Sequence, residues 1–338
     1  MKIYIQVLLF SAILLSISSC KKYNQVDNSG TVKIPYILYV GGYFGTLHKT
    51  NDALYYSPLF KTDASTVRQV LAADTMLLYM KQNFYFSRNE GKAFQESNNN
   101  ARDFEDLFFK YFFPNQALCD KIDTTVYLCT KSGLDSSGNR GETFQKVKGW
   151  GSGSINPSSI TQLENGTLFI IKDSDQIYKK APYGLWQPVF SNAFNCLPKD
   201  TNSWYITHKF NMLFAIDFSG NYGVYFSLDE GVNWAKCSGL PTNRKILFGN
   251  QPISTDNSFF VGLDSAGLYR SDGVDFKASG QGIPWYAKVH FVTGKKVVYR
   301  TDVERYYHFC ATDVGLFISE NDGVDWRKIR DGAFSALY

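Results

Sequence analysis

The chain has 338 residues, a formal net charge of +4 and a charged fraction of 20%, with acids and bases interspersed. This balance describes a solvated mixed surface and supplies no basic stripe for nucleic acid. Aromatic residues make up 16% of a length that can bury a large core, and beyond the first twenty residues no stretch reaches the ~18 consecutive apolar residues of a spanning helix.

The chain start reads as a targeting segment. Lys2, the apolar run from Val7 to Leu15 and Ile17-Ser18-Ser19-Cys20 form a lipoprotein signal peptide over residues 1–19, with Cys20 lipidated after cleavage. Several acyl chains anchor stably where one is marginal. The polar residues after Cys20 read as a flexible tether, giving 20–33 as anchor and tether and 34–338 as one folded unit. This start is similar to outer-membrane lipoproteins of Bacteroidetes, and it leaves open whether the protein faces the periplasm or the cell surface. Five further cysteines are an odd number, which excludes a complete disulfide framework within one chain. Cys119 and Cys129 face each other if their hairpin is symmetric about Thr124, so a cross-strand disulfide is open there. Cys196, Cys237 and Cys310 read as buried thiols. The four scattered histidines and the absence of CxxC give no metal site, and no cofactor is expected.

In chain order, seven two-strand lead-ins follow. They open at Tyr36, Met76, Thr125, Thr167, Met212, Phe259 and Tyr307, and their second strands end at Ser57, Ser87, Ser137, Lys180, Ser227, Ser271 and Ser319. Aromatic and β-branched residues alternate within them, as in strands. The anchors are 30, 50, 43, 47, 44 and 48 residues apart, mostly the spacing of a four-stranded propeller blade, with the first interval too short.

A turn motif follows several anchors. Ser227, Asp229, Gly231 and Trp234 stand at positions one, three, five and eight of SLDEGVNW; Ser319, Asn321, Gly323 and Trp326 repeat them. Ser137, Asn139, Gly141 and Phe144 form a third copy, and Ser87, Asn89, Gly91 and Phe94 a fourth. Ser271-Asp272-Gly273 with Phe276 is a shortened version, and in the fourth unit only Trp186 keeps its place. A short polar side chain bonds the backbone ahead, the glycine takes a positive φ, and the ring covers the turn. The pattern resembles the Asp-box, or BNR repeat, of sialidases, sortilin-type receptors and photosystem II assembly-factor propellers. The resemblance implies an all-β propeller in which these turns are scaffold between third and fourth strands, with ligand loops at the other end of the ring.

Seven blades is the expected count, with six as the alternative because of the short first interval. AFSALY at 333–338 has no unit of its own and is expected to close the ring as the innermost strand of the first blade. The ligand-side loops expected from the resemblance carry Tyr43, His48, Trp150, Tyr222, Trp285 and Tyr286. Flat rings beside polar groups suit a peptide or a sugar. Within the insertion NNNARDFEDLFFKYFFPN, Phe104, Leu107, Phe108 and Tyr111 share one helical face, leaving Phe109, Phe112 and Phe113 on others. That helix either packs on a blade edge or presents Phe108 and Phe109 to a partner.

Two functional classes follow. The first is a non-catalytic, membrane-anchored propeller that binds an envelope protein or glycan or assists an envelope complex. The alternative is a sialidase-like glycoside hydrolase. VKIPYILYV resembles the first strand of sialidases, but Lys33 stands where they carry a carboxylate-clamping arginine, and lysine cannot make that bidentate fork. Arg244, Glu304, Arg305 and Tyr306 are the residues such an enzyme would have to gather. No catalytic residue is assigned, and the binding reading is preferred.

Overall fold

The computed structural model describes residues 32–34, 36–43, 46–51, 56–61, 66–72, 76–80, 84–89, 91–98, 117–130, 133–148, 157–172, 176–189, 204–209, 211–218, 223–242, 244–249, 258–264, 267–271, 273–299 and 302–338. Their strands form seven antiparallel sheets, and in all but the first the strands follow chain order. In the first sheet β29 (Phe334–Leu337) lies beside β2 (Leu38–Gly42), β3 (Thr46–Thr50) and β4 (Ser57–Lys61). The second is β5 (Val67–Ala72), β6 (Met76–Met80), β7 (Phe84–Ser87) and β8 (Gln95–Glu96). The third is β9 (Ala117–Cys119), β10 (Val126–Thr130), β11 (Gly133–Ser137) and β12 (Gln145–Lys146). Next come β13 (Pro157–Gln162), β14 (Leu168–Lys172), β15 (Gln176–Lys180) and β16 (Trp186–Pro188). The fifth holds β17 (Trp204–Lys209), β18 (Met212–Asp217), β19 (Val224–Ser227) and β20 (Ala235–Lys236). The sixth holds β21 (Ile246–Gly249), β22 (Phe259–Leu263), β23 (Gly267–Ser271) and β24 (Lys277–Ala278). The last is β25 (Val289–Tyr299), β26 (Glu304–Thr312), β27 (Gly315–Ser319) and β28 (Arg327–Arg330), with β1 (Val32–Ile34) added beyond β25.

The first strand of each sheet packs against the sheet before it, and β29 touches both β25 and β5. The chain therefore closes on itself as an all-β propeller. Two backbone bonds fasten the junction, Tyr39 N to Tyr338 O at 2.9 Å and Tyr338 N to Tyr39 O at 3.0 Å.

Both faces of each sheet are buried because successive side chains point to opposite sides of a strand. On β18, Leu213 and Ala215 join a core with Phe169, Ile171 and Trp204, whereas Phe214 and Ile216 join the next core with Phe259 and Val261. Phe214 stacks on Phe259 at 4.6 Å. Fully burying one such ring contributes roughly 1.5–3 kcal/mol, so the spaces between sheets hold most of the apolar stabilisation.

Three sequence expectations change. Ser57 opens the fourth strand of its sheet, not the end of a preceding one, and the equivalent of the box serines is Thr50, which pairs with Leu38 and is buried. The short first interval came from this misplaced anchor. Cys119 pairs with Val126, and Cys129 pairs with Leu134 on the other side, so the two cysteines do not face each other; Cys129, Cys237 and Cys310 are free thiols and buried. The turn is centred earlier than Thr124 because Asp120 Oδ1 accepts the Ile122 N–H at 2.8 Å and Asp123 Oδ1 accepts the Thr125 N–H at 2.9 Å. Finally, the tether expected to reach residue 33 already becomes strand at Val32.

Antiparallel order gives the ring two ends. Turns between first and second and between third and fourth strands emerge at one, the box end; the remaining connections emerge at the other. Near the box end of β17, His208 is buried with Thr161 Oγ1 2.7 Å from its Nδ1. Burial, reinforced by Lys121, lowers its pKa from 6.5 to about 3. The unfolded chain then binds the extra proton between those values, so this contribution to stability is complete above pH 6.5 and is lost as pH falls towards 3. Denaturant midpoints measured across that window should fall less steeply for His208→Gln than for the unmodified chain.

Candidate functional site

The box turns are built by local bonds. In the copy beginning at Ser227, its Oγ accepts the Gly231 N–H at 2.8 Å and donates to Asp229 Oδ1 at 2.8 Å, and Asp229 Oδ1 accepts the Asn233 N–H at 2.8 Å. The same bonds recur at Ser87–Asn89–Gly91, Ser137–Asn139–Gly141 and Ser319–Asn321–Gly323. Gly231 has φ 86°, and Glu230 before it is also left-handed at 57°. Trp234 donates Nε1–H to Gly231 O at 3.0 Å and is buried, and Trp326 does the same to Gly323 O at 3.1 Å. Phe94 and Phe144 pack against the cores at their copies.

Two of the boxes, those at Ser137 and Ser319, also receive the end of the preceding sheet. Ser97 Oγ donates to Gly141 O, Ser279 Oγ to Gly323 O, and Trp326 Nε1–H also reaches Ser279 O at 2.6 Å. Sequence reasoning missed these stitches; a serine three residues past the box aromatic, at Ser97 and Ser279, was their signal. Partial burial opposes ionisation of Asp229, but the bonds from Asn233 and Ser227 outweigh it and hold its carboxyl below the usual range. Losing these cap-like bonds costs about 1 kcal/mol. Asp229→Ala should therefore lower the denaturant midpoint modestly.

At the opposite end, Tyr43 follows β2 and His290 begins β25, and the Tyr43 hydroxyl lies 2.5 Å from His290 Nε2 with the rings edge to face at 5.4 Å. Thr66 Oγ1–H donates to Tyr43 O at 3.1 Å. Burial first, with Lys288 adding and Asp313 opposing, draws the His290 pKa to about 4, so the imidazole is neutral near pH 7. Asp313 Oδ1 accepts the Lys288 N–H at 2.8 Å, fixing the start of β25 against the β26–β27 turn. In the connection entering β25, Trp285 and Tyr286 are 77% and 60% exposed with ring centroids 5.8 Å apart, edge to face. One short path thus carries two solvent-facing rings and a neutral histidine–tyrosine pair. Stacking and hydrogen bonding are what this arrangement offers a ligand.

The topology places Tyr43, Trp285 and Tyr286 at the same end of the ring, Tyr43 bonded to His290, and this end also holds Lys288 and Asp313, which sequence reasoning passed over. His48 is not on a loop: it lies in β3 opposite Val40 and Pro58, where burial and then Arg330 lower its pKa. Phe108, Phe109, Trp150, Tyr222 and Cys20 lie outside the described residues. The residues a sialidase would have to gather are divided between the ends. Lys33 lies in β1 and Glu304, Arg305 and Tyr306 in β26, all towards the box end, where Glu304 pairs with Lys296 and Arg305 covers Tyr299. Arg244 lies on the connection between β20 and β21 at the other end. Among the described residues no group of three or more His, Cys, Asp or Glu is placed to hold a metal ion.

No protein-family model and no curated protein matches the chain. Among solved structures it is similar to YCF48 from Cyanidioschyzon merolae, at 15% identity over 78% of this chain and 84% of that one, with a TM-score of 0.52. A YCF48 structure bound to D1 peptide is similar at 12% identity, covering 81% and 90%, with a TM-score of 0.51. An ancestral GH74 enzyme is similar at 15% identity, covering 88% of this chain and 47% of that one, with a TM-score of 0.52. Likeness at these identities is likeness of fold: the chain is an all-β propeller of an architecture that serves both peptide-bound proteins and enzymes.

Proposed function

We propose that this chain is a non-catalytic, lipid-anchored propeller of the bacterial envelope whose seven sheets act as one rigid ring holding a partner protein segment. The observation that carries the reading is the exposed Trp285–Tyr286 pair on the connection that leads into β25, where His290 meets the Tyr43 hydroxyl. Large exposed rings on a rigid support are a cheap source of binding energy, because few rotatable bonds are frozen. A YCF48 bound to D1 peptide supports the idea that this fold can seat a peptide. The sialidase-like reading gains nothing from the geometry, since Lys33, Glu304 and Arg305 are remote from Arg244 and from the aromatic end.

Capture of envelope proteins by the intact lipoprotein, compared with Trp285→Ala/Tyr286→Ala, tests the proposal. Truncating two hot-spot rings costs roughly 2–4 kcal/mol, so the double variant should lose capture at least thirtyfold while its melting temperature stays unchanged. Undiminished capture, or capture of glycans in place of proteins, would contradict it.

A further inference from the structure

The exposed large hydrophobic residues are not spread evenly over the ring. Among the described residues, Leu228, Val232 and Val324 protrude from box turns, and Tyr183 and Leu185 from the degenerate box of the fourth sheet. Val303 tips the β25–β26 hairpin, Ile37 stands just before β2 and Ile122 lies on the β9–β10 turn, all at the box end. Leu185 is 83%, Tyr183 81% and Leu228 70% exposed; only Trp285 and Tyr286 break the pattern at the other end. These side chains are spread over the first, third, fourth, fifth and seventh sheets, no more than two on each, and not gathered on one blade. A set of isolated apolar tips at one end suits shallow contact with a broad surface.

The path of the chain points the same way. Gly294 pairs with His308, which pairs with Ser319 at the start of its box. The strands β25 and β26 run on past this level, through Lys295↔Tyr307 to Val298↔Glu304, and so project from the box end. β1 pairs with that projection, Val32 opposite Tyr299 and Ile34 opposite Val298, and Tyr36 is buried against Phe309 at 5.3 Å. The chain is thereby fastened to the box end before it enters the ring. Residues 21–31, fully extended, span at most about 40 Å, so an acylated Cys20 keeps this end near the membrane. The six-residue β17 sets the other end about 20 Å further away.

From these observations we infer that the box end rests against the lipid bilayer and the aromatic end is presented away from it. The inference rests on the lipid anchor of the proposed function. Isolated apolar side chains entering the headgroup region each add favourable transfer energy to that anchor, without making an insertion of their own.

The test uses the full acylated chain in phosphatidylcholine vesicles carrying a headgroup energy acceptor. A donor is attached at Asn211→Cys, exposed on the β17–β18 turn, or at Asp331→Cys, exposed on the β28–β29 connection, with Cys119→Ser and Cys196→Ser in both. Several-fold stronger transfer from position 211 than from 331 is expected. Equal or reversed transfer in protein that floats with the vesicles overturns the orientation while the anchor stands. Failure of the acylated protein to float overturns the anchor itself, and the inference with it.

Discussion

Removing residues 333–338 should abolish cooperative unfolding, leaving a chain with no sharp thermal transition. The deletion takes out β29, the inner strand of the first sheet, together with the buried side chains of Phe334, Ala336 and Leu337. Phe334 and Leu337 belong to the same core as Leu38, Val40, Phe309 and Phe317. Their burial accounts for roughly 3–6 kcal/mol, comparable with the whole stability of a typical domain. Ladder bonds disappear too, and Ser335 Oγ–H no longer reaches Val67 O at 2.7 Å, a bond that joins the first and second sheets. An open ring exposes two inner edges, so the loss is not confined to one sheet. Circular dichroism melting of the truncated chain checks this; an unchanged melting temperature would mean that the ring is not closed by this strand.

The second large effect comes from one hydrogen atom's worth of space. Gly282 has φ +93°, and a Cβ there would lie 1.9 Å from the carbonyl oxygen of Trp326. That oxygen belongs to the next sheet, at a junction where Trp326 N–H also donates to Gln281 O at 2.8 Å. Gly282→Ala must pull the sixth and seventh sheets apart and also strain a left-handed backbone. Overpacking of this kind costs about 1–3 kcal/mol and the left-handed conformation about 1–2 more. Gly273→Ala is the control, because a Cβ there meets nothing within 4 Å. Urea unfolding should show a drop of about 3 kcal/mol for the first variant and less than about 1 kcal/mol for the second. Equal midpoints would mean that the two sheets can separate at no cost.

What was legible in the sequence was what local chemistry determines. Each box turn closes through bonds spanning four residues or fewer between Ser, Asx and Gly, so its residues could be recognised without knowing what lay around them. Strand alternation likewise gave most lead-ins. Placement depending on partners distant in the chain was not legible. Nothing in VKI announces that β1 pairs with a strand more than 260 residues later, or that β25 and β26 outrun their sheet. The cysteine hairpin was misjudged because two aspartates, not the apparent midpoint, set its register. His48 reads as a loop residue because the first unit lacks a box and the run TLHKT carries one apolar residue, Leu47, and no alternation to mark it as a strand. At the aromatic end Trp285 and Tyr286 could be nominated from composition, but the Tyr43–His290 bond joins residues 247 apart.

The proposed assignment of partner binding to the aromatic end is most directly tested by amide exchange of the full chain with and without a protein captured from the envelope. Protection should appear in residues 281–290, at Tyr43 and around Asp313, and the box turn 227–234 should exchange as it does in the free protein. Protection of box turns with an unaltered aromatic end would place binding on the wrong side of the ring and contradict the account.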